Sequence, residues 1–210
     1  MTVKAMRADA RRNLELILDA ATLEFGEHGP DAGVAAIASR AGVGTGTIFR
    51  RFPSKDDLMV AVFERRAEQF IAEAHEAVAQ MEPADAIEWF VTRAVEAQVH
   101  DRGFCEMATQ LLREGRAYEA HGQLLNELRA VVESAKAAGA LREGIFAEDF
   151  PVLIQALATT GLVTEHVAPG MWRRYVALFM DALRPGSGAR LEPGPPTAEQ
   201  VAASFSSPSS

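Results

Sequence analysis

Apolar residues recur three or four positions apart along most of the chain, which is the spacing of one face of an α-helix. Glycine and proline, which end helices, separate many of these runs. The pattern predicts helices over residues 13–28, 34–41, 45–52, 56–81, 84–100, 103–114, 124–138, 148–167 and 169–183. No stretch has the pattern of a β-strand, so we predict an all-α protein.

Two of the predicted helices are short and are joined by a glycine turn. Gly42 follows the helix over residues 34–41, where a helix end favours a residue that tolerates positive φ. In the next helix, over residues 45–52, Ile48 and Phe52 lie four positions apart and face inward. Hydroxyl and basic side chains are left outward: Thr45, Thr47, Arg50 and Arg51. This layout is that of a DNA-reading helix-turn-helix, although an ordinary helical hairpin with a solvated outer face has the same spacing.

The outward side chains of the second short helix suit different contacts with DNA. We expect Thr45, Thr47 and Arg50 to face the major groove, because arginine binds guanine edges and threonine can contact a thymine methyl group. Arg51 and Lys55 are expected to hold backbone phosphates, which position a protein on DNA without reading its sequence.

The charge of the chain is unevenly distributed. The net charge is −8, which by itself argues against binding nucleic acid. However, residues 1–66 hold 10 Lys and Arg against 9 Asp and Glu, whereas residues 67–210 hold 11 against 20. A basic patch on an acidic body is sufficient to attract phosphates. Residues 1–12 are polar and basic and are expected to form a mobile arm, which could either fray or contact DNA.

The helix-turn-helix region resembles the TetR family of bacterial transcriptional regulators. Residues 41–63 read AGVGTGTIFRRFPSKDDLMVAVF, and the usual run in that family is AGV-S-x-GT-[LI]-[YF]-x-[HR]-F-x-[SN]-K-x-x-L. The matching residues are Gly42, Val43, Gly46, Thr47, Ile48, Phe49, Phe52, Ser54, Lys55 and Leu58. The resemblance extends over roughly residues 10–63 and implies that DNA is contacted by Thr45, Gly46, Thr47, Phe49, Arg50, Arg51 and Lys55.

The sequence departs from the family pattern at several positions near the DNA. Gly33 and Gly44 stand where Ser or Thr usually caps the two short helices, a change that costs only a few tenths of a kcal/mol. Phe49 replaces a frequent tyrosine and cannot make its phenolic contact with phosphate. Arg51 replaces a frequent histidine and adds a permanent charge. These changes alter which phosphates are held, but leave the way of reading DNA intact.

The resemblance and the composition together predict three regions. Residues 1–54 form the helix-turn-helix DNA-binding domain, and residues 55–184 form a helical domain for effector binding and dimerisation. Residues 185–210 are rich in Pro, Gly and Ser and are expected to be disordered. The resemblance implies a homodimer that binds a palindromic double-stranded DNA operator, acts as a repressor, and is released by a small-molecule effector.

The effector is expected to occupy a mainly apolar cavity between the long helix and those that follow it. Aromatic side chains and methionine suit an apolar ligand, and Arg93 could fix its carboxylate or carbonyl. The predicted lining is Phe70, Trp89, Phe90, Arg93, Phe104, Met107, Leu111 and Leu128. The same side chains at the same helical spacing would also suit a closely packed core.

The last two helices are expected to pack against their copies in a four-helix bundle. One recognition helix is too short to discriminate well, so two-fold pairing on two half-sites is a physical remedy. The predicted interface consists of Leu157, Thr160, Gly161, Val163, Trp172, Tyr175, Val176 and Phe179. These faces could instead belong to the core of one chain, since cores and obligate interfaces have similar composition.

No constellation of residues indicates catalysis, a cofactor or a metal. The five histidines are scattered, and neither a Walker loop nor a Rossmann glycine fingerprint is present. The single cysteine, Cys105, fits a reducing compartment, and no apolar run would span a membrane, so we expect a cytoplasmic protein. Two other classes stay open: a helical ligand- or partner-binding module without specific DNA binding, and a small helical enzyme.

Overall fold

The computed structural model describes residues 3–186, 191 and 194–200, with side chains from residue 11 onward. Within these residues the α-helices are α1 (Val3–His28), α2 (Val34–Ala41), α3 (Thr45–Arg51), α4 (Lys55–Gln80), α5 (Pro83–His100), α6 (Arg102–Arg113), α7 (Tyr118–Ala137), α8 (Phe150–Thr164) and α9 (Trp172–Ala182). Short 3-10 helices occupy Gly29–Asp31 and Ala147–Asp149. None of the described residues belongs to a strand, which confirms the all-α prediction.

Helix α1 is longer than its apolar pattern predicts. It begins at Val3, so the predicted mobile arm over residues 1–12 is wrong for the part that is described. Residues 3–12 are mostly good helix formers without an apolar stripe, and propensity continues the helix where periodicity gives no signal. Helix α7 likewise starts at Tyr118 rather than at residue 124, because a single glycine, Gly122, is tolerated within it.

The chain forms two compact units, of which the first comprises residues up to Arg66 together with Asp101–Ala117. In it α1 packs against α2, α6 and the first 3-10 helix, and α2 packs against α3. The apolar side chains of these helices are buried together: Ile17, Phe25, Ile37, Ile48, Leu58, Val62, Met107 and Leu111. This core supports α2 and α3 from behind and thereby fixes the orientation of the helix-turn-helix.

Helix α6 crosses α1 at a point where the two backbones nearly touch. A Cβ atom on Gly103 would lie 2.4 Å from the carbonyl oxygens of both Phe25 and Gly26. Asp101 caps α6 by accepting a hydrogen bond from the Phe104 backbone N–H at 3.2 Å, and it also accepts one from Arg66. Since no larger residue fits at Gly103, this glycine determines how closely α6 lies on α1.

An ion pair connects α2 with α1. Glu24 on α1 is the buried charged residue of the described chain, at 6% exposure, and accepts a hydrogen bond from Arg40 on α2 at 2.7 Å. The same guanidinium donates to Glu27 at 2.9 Å. A buried carboxylate is stabilised only by such partners, so the pair fixes where α2 lies. Glu24, Glu27 and His28 lie close enough to hold a cation, but Arg40 already neutralises the two carboxylates.

The second unit comprises Ala67–His100 and the chain from Tyr118 onward. Helix α5 is its centre and packs against α7, α8 and α9. Val91 and Val95 on α5, Phe150 on α8 and Trp172 on α9 are fully buried in this core. These boundaries differ from the predicted ranges 1–54 and 55–184, because α6 and the part of α4 up to Arg66 belong to the same unit as α1. Most of the predicted tail, residues 185–210, lies outside the described residues.

No helix among the residues with described structure has the length and apolar character needed to cross a membrane.

Candidate nucleic-acid interface

The turn between α2 and α3 is closed by glycine. Gly42 has φ of 69°, in the left-handed region, and its backbone N–H donates to the carbonyls of Ala38 and Ser39. The Val43 N–H also donates to the Ala38 carbonyl, at 3.0 Å. These bonds satisfy the last carbonyl groups of α2 and turn the chain sharply into α3.

Helix α3 lies with one face in the core and the other open. Ile48 and Phe52 are buried at 1% and 8% exposure, as their spacing predicts. On the opposite side Phe49 is 47% exposed, although it is a large apolar residue. Thr45, Gly46, Arg50 and Arg51 are also exposed, and Thr47 and Lys55 are half-buried. All seven residues predicted to contact DNA thus lie on one short segment, and each keeps some accessible surface.

The glycines of the two short helices are not required by packing within the protein. A Cβ atom placed on Gly33, Gly44 or Gly46 would meet no other atom within 4 Å. The φ angles of Gly33 and Gly44, −82° and −77°, are open to any residue. No side chain caps either helix at these positions, so the first backbone N–H groups of α2 and α3 are uncovered. The missing side chains leave room for another molecule to approach the backbone.

The start of α4, directly after the recognition segment, is held by a network of hydrogen bonds. Ser54 and Asp57 form reciprocal hydrogen bonds: the Ser54 backbone N–H and hydroxyl donate to Asp57 at 3.0 and 2.7 Å. The Asp57 backbone N–H donates to the Ser54 hydroxyl oxygen at 3.1 Å. Ser54 was recognisable as a cap from its position, and the acidic residue three positions later is the matching signal.

Arg116 completes this network from a distant part of the same unit. Its guanidinium donates to Asp57 at 2.8 Å and lies 3.5 Å from Asp56. The Ser54 hydroxyl hydrogen bond, reinforced by the Ser54 N–H and by Arg116, lowers the pKa of Asp57 from its ordinary value. Asp56 and Asp57, which directly follow Lys55, therefore both lie beside the guanidinium of one arginine. Sequence analysis missed Arg116, because its partner lies 59 positions away.

The residues predicted to line one effector cavity are divided between the two units. Phe104 stacks on Phe63 with ring centroids 5.9 Å apart, and the Arg66 guanidinium lies 4.2 Å above it. Met107 and Leu111 are fully buried in that first unit as well. The remaining predicted residues, Phe70, Trp89, Phe90, Arg93 and Leu128, belong to the second unit. The eight residues therefore do not all belong to one unit, because α6 packs on α1, and a single lining formed by all of them stays a prediction.

The second unit does contain an aromatic cluster. The Phe70 ring lies 4.9 Å from that of Phe90 and 6.1 Å from that of Trp89, measured between centroids. Leu128 on α7 belongs to the same core. Arg93, however, is 40% exposed and donates to Glu73 at 3.1 Å. Arg93 therefore already has a carboxylate partner, and its contact with a ligand stays a prediction.

The predicted dimer residues fall on both sides of α8 and α9. Trp172 and Val176 are buried at 0% and 2% exposure, and a Cβ atom on Gly161 would lie 2.5 Å from Val99. These three belong to the core of the single chain, which corrects their assignment to an interface. Val163 and Tyr175 are exposed, and Leu157, Thr160 and Phe179 are half-buried. The exposed large apolar residues of α8, α9 and the segment that joins them, named here the outer face, are Val152, Leu162, Val163, Val167, Met171, Tyr175 and Leu178.

Two family models match the sequence. Residues 17–62 match the model described as bacterial regulatory proteins, tetR family, and residues 82–185 match that of the SbtR-like transcriptional regulator C-terminal domain. A comparison with curated proteins gives no match.

Several solved structures are similar over nearly their whole length. A TetR transcription regulatory protein from Mycobacterium vanbaalenii is 30% identical with a TM-score of 0.63, over 85% of this chain and 99% of the other. A TetR transcriptional regulator from Streptomyces coelicolor is 27% identical with a TM-score of 0.65, over 82% and 98%. FadR from Bacillus subtilis, solved in complex with stearoyl-CoA, is 20% identical with a TM-score of 0.67, over 82% and 98%. This last likeness concerns the fold alone.

Proposed function

This chain belongs to the TetR family of bacterial transcriptional regulators, and on that premise we propose that it is a repressor released from its operator by a small, mainly apolar effector. The observation that carries the proposal is the open face of α3, where basic side chains and an exposed phenylalanine surround uncovered helix backbone. Such a face suits the major groove, which admits one helix and presents a distinct pattern of donors and acceptors for each base pair.

The side chains on this face make two kinds of contact with DNA, one with base edges and the other with phosphates. Thr45, Thr47 and Arg50 read base edges, whereas Arg51 and Lys55 bind phosphates. Exposed Phe49 lies among them and supplies an apolar contact with sugar or a thymine methyl group. Gly46 lets the start of α3 approach the DNA backbone closely.

The protein acts as a homodimer through the outer face of α8 and α9. Seven large apolar residues of this face are exposed in the single chain, which is costly in water and favourable at an interface. A two-fold dimer presents two copies of α3 to successive major grooves and so requires a palindromic operator.

The effector site lies in the second unit, at the cluster of Phe70, Trp89 and Phe90 beside Leu128. Aromatic and aliphatic lining favours an apolar ligand. FadR from Bacillus subtilis, which shares the fold, was solved in complex with stearoyl-CoA, so a protein of this fold can hold a ligand with a long apolar part. Ligand lowers DNA affinity by the difference between its affinities for the free and the DNA-bound conformations.

The experiment is a binding titration with duplexes taken from the DNA around the gene that encodes the protein. Fluorescence anisotropy measures affinity for each duplex at several salt concentrations. A repressor binds one palindromic duplex far more tightly than a scrambled one, and log K falls linearly with log salt as counterions are released. Hydrophobic compounds are then screened for release of the bound duplex.

A variant at Trp89 serves as the control, and the absence of duplex binding is the outcome that contradicts the proposal. A Trp89→Ala variant retains operator affinity without compound but loses release by it. A protein that binds apolar compounds and no duplex is the helical ligand-binding module instead, and the repressor proposal is then wrong.

A further inference from the structure

Arg116 is held in a fixed position by the end of α6. Gly115 adopts φ of 73°, its N–H donates to the Leu112 carbonyl at 3.1 Å, and the Arg116 N–H donates to the Leu111 carbonyl at 2.9 Å. This hydrogen-bond pattern is the Schellman motif, which ends a helix with a defined backbone direction. Leu111 itself is fully buried in the core of the first unit. The backbone of Arg116 is therefore anchored to that core, and its side chain extends from a rigid base.

The guanidinium of Arg116 contacts the first turn of α4. It donates to Asp57 Oδ1 at 2.8 Å and lies 3.5 Å from Asp56 Oδ2. The other oxygen of Asp57 accepts both hydrogen bonds from Ser54. Each oxygen of this carboxylate thus has its own partner: one belongs to the α3–α4 turn and the other to the end of α6.

The location of this contact gives it a role beyond stability. Lys55 stands between Ser54 and Asp56, and α3 ends only four positions before it, at Arg51. Two carboxylates beside a phosphate-binding lysine repel DNA unless a cation neutralises them. Holding Asp57 also holds the turn that determines how α3 leaves the core. The charge of the two carboxylates and the position of the α3–α4 turn therefore both bear on the DNA-binding face.

We propose that Arg116 is a positioning residue for DNA binding, which acts through Asp57 and Asp56 and has no need to touch the DNA itself. The inference rests on the proposed DNA-binding function. By this proposal, the end of α6 affects operator affinity through one hydrogen-bonded ion pair.

The test is a double-mutant cycle measured by operator titration. Arg116→Ala is expected to weaken operator binding about tenfold, the order found for contacting residues of one network. The same substitution is then made in a protein that carries Asp56→Asn and Asp57→Asn. With no carboxylate left to neutralise, Arg116→Ala should change affinity there by less than about twofold. The amide introduced by Asp57→Asn still offers an oxygen to Ser54, so the cap is retained.

A matched control removes an arginine that lies elsewhere on α6. Arg102 pairs with Glu106 at 2.7 Å and is largely exposed. Arg102→Ala removes the same charge at the opposite end of α6 and should leave operator affinity unchanged. Equal losses for Arg102→Ala and Arg116→Ala would mean that net charge alone matters, and would overturn the proposal.

A DNA-independent measurement separates this inference from the proposed function. NMR titration of the free protein should give Asp57 a pKa below its ordinary value, and Arg116→Ala should move this pKa upward. If Arg116→Ala lowers operator affinity equally in both backgrounds, Arg116 contacts a phosphate directly or its loss disturbs folding, and the positioning role is overturned. The positioning role is also overturned if Arg116→Ala lowers affinity in neither background. If the wild-type protein binds no duplex, the proposed function fails first and this inference fails with it. An Asp57 pKa that does not change in Arg116→Ala contradicts the ion pair and overturns this inference, but leaves the proposed function standing.

Discussion

The side chains of α3 divide by direction into two that build the core and several that face outward. Ile48 and Phe52 occupy the core, so substitutions there act on folding. Arg50 and Lys55 keep accessible surface, so substitutions there act on binding. The separation allows DNA contacts to be tested with little effect on stability.

We expect Arg50→Ala and Lys55→Ala to weaken DNA binding in different ways. Loss of a bidentate contact with a base costs about 1–3 kcal/mol and relaxes base preference at one position. Loss of a phosphate contact weakens all duplexes about equally and lowers the salt slope by about 1. Titrating each variant against the operator and single-base variants at several salt concentrations distinguishes them. Unchanged affinity and unchanged preference in Arg50→Ala would contradict the role of Arg50.

Gly46→Ala should separate stability from DNA binding in a single residue. The site is inside α3 with open space around it, so alanine should stabilise the helix by about 0.5–1 kcal/mol. The new methyl group would, however, occupy room that the proposed DNA contact needs. The expected result is a higher Tm with weaker operator binding, measured by calorimetry and anisotropy. Tight operator binding in a stabilised variant would show that DNA does not approach Gly46.

Cys105 should be unreactive in the folded protein. Burial, reinforced by the nearby Asp101 carboxylate, raises the pKa of its thiol to about 12. Because the thiolate is the reactive form, almost none is present at pH 8, and reactivity increases only as the pH approaches that value. Labelling with a thiol reagent should be slow in buffer and rapid in denaturant. Fast labelling of the native protein at pH 8 would contradict this.

At the scale of elements, the contact between α1 and α6 depends on Gly103. Alanine there would place a methyl carbon 2.4 Å from two backbone carbonyl oxygens, so the helices must separate. We expect Gly103→Ala to destabilise the protein by about 1–3 kcal/mol, in the range of overpacked cores.

The control for Gly103 is another helical glycine with free space. Gly122 lies inside α7, and a Cβ atom there meets nothing within 4 Å. Gly122→Ala should stabilise the protein by about 0.5–1 kcal/mol. Chemical denaturation of both variants tests the pair, and equal effects of the two substitutions would contradict the close crossing at Gly103.

At the scale of the whole molecule, the proposed dimer rests on the outer face of α8 and α9. Val163 is 65% exposed and Leu178 is 55% exposed, so both are accessible for pairing. We expect Val163→Glu with Leu178→Glu to give a folded monomer that binds the operator weakly, because a single recognition helix remains. Light scattering gives the mass, and circular dichroism gives the helix content. A wild-type monomer at micromolar concentration would contradict the proposed dimer.

Trp172 provides the contrasting control for the same helices. Its side chain is fully buried in the core of one chain, so Trp172→Ala should cost about 3–5 kcal/mol of folding stability. This variant loses helical structure at a lower temperature, whereas the double glutamate variant keeps it. The comparison distinguishes an interface from a core on the same two helices.

The residues predicted to line the effector site show what helical periodicity cannot specify. Phe70, Trp89 and Phe90 cluster in the second unit, as sequence analysis expected of neighbours. Phe104 lies at an equally plausible helical position, yet it stacks on Phe63 in the first unit. Helical spacing identifies the apolar face of α6. The close contact of Gly103 with α1 determines which helix that face packs against.

The sequence by itself determined the all-α class and the helix-turn-helix, because both depend on local signals. Gly42 ends α2, Ile48 and Phe52 determine the inner face of α3, and Arg50 is thereby left outward. Each of these relations joins residues within a few positions of one another, where backbone geometry leaves few alternatives.

Only the tertiary structure decided which of two apolar faces lies inside and which distant charges meet. Helix α9 has apolar residues on both sides, so periodicity alone could not place Trp172 in the core and Leu178 on the surface. Arg116 and Asp57 are 59 positions apart and become neighbours only because the end of α6 reaches the first turn of α4. Long-range contacts depend on how whole helices pack, and no short sequence pattern specifies that packing.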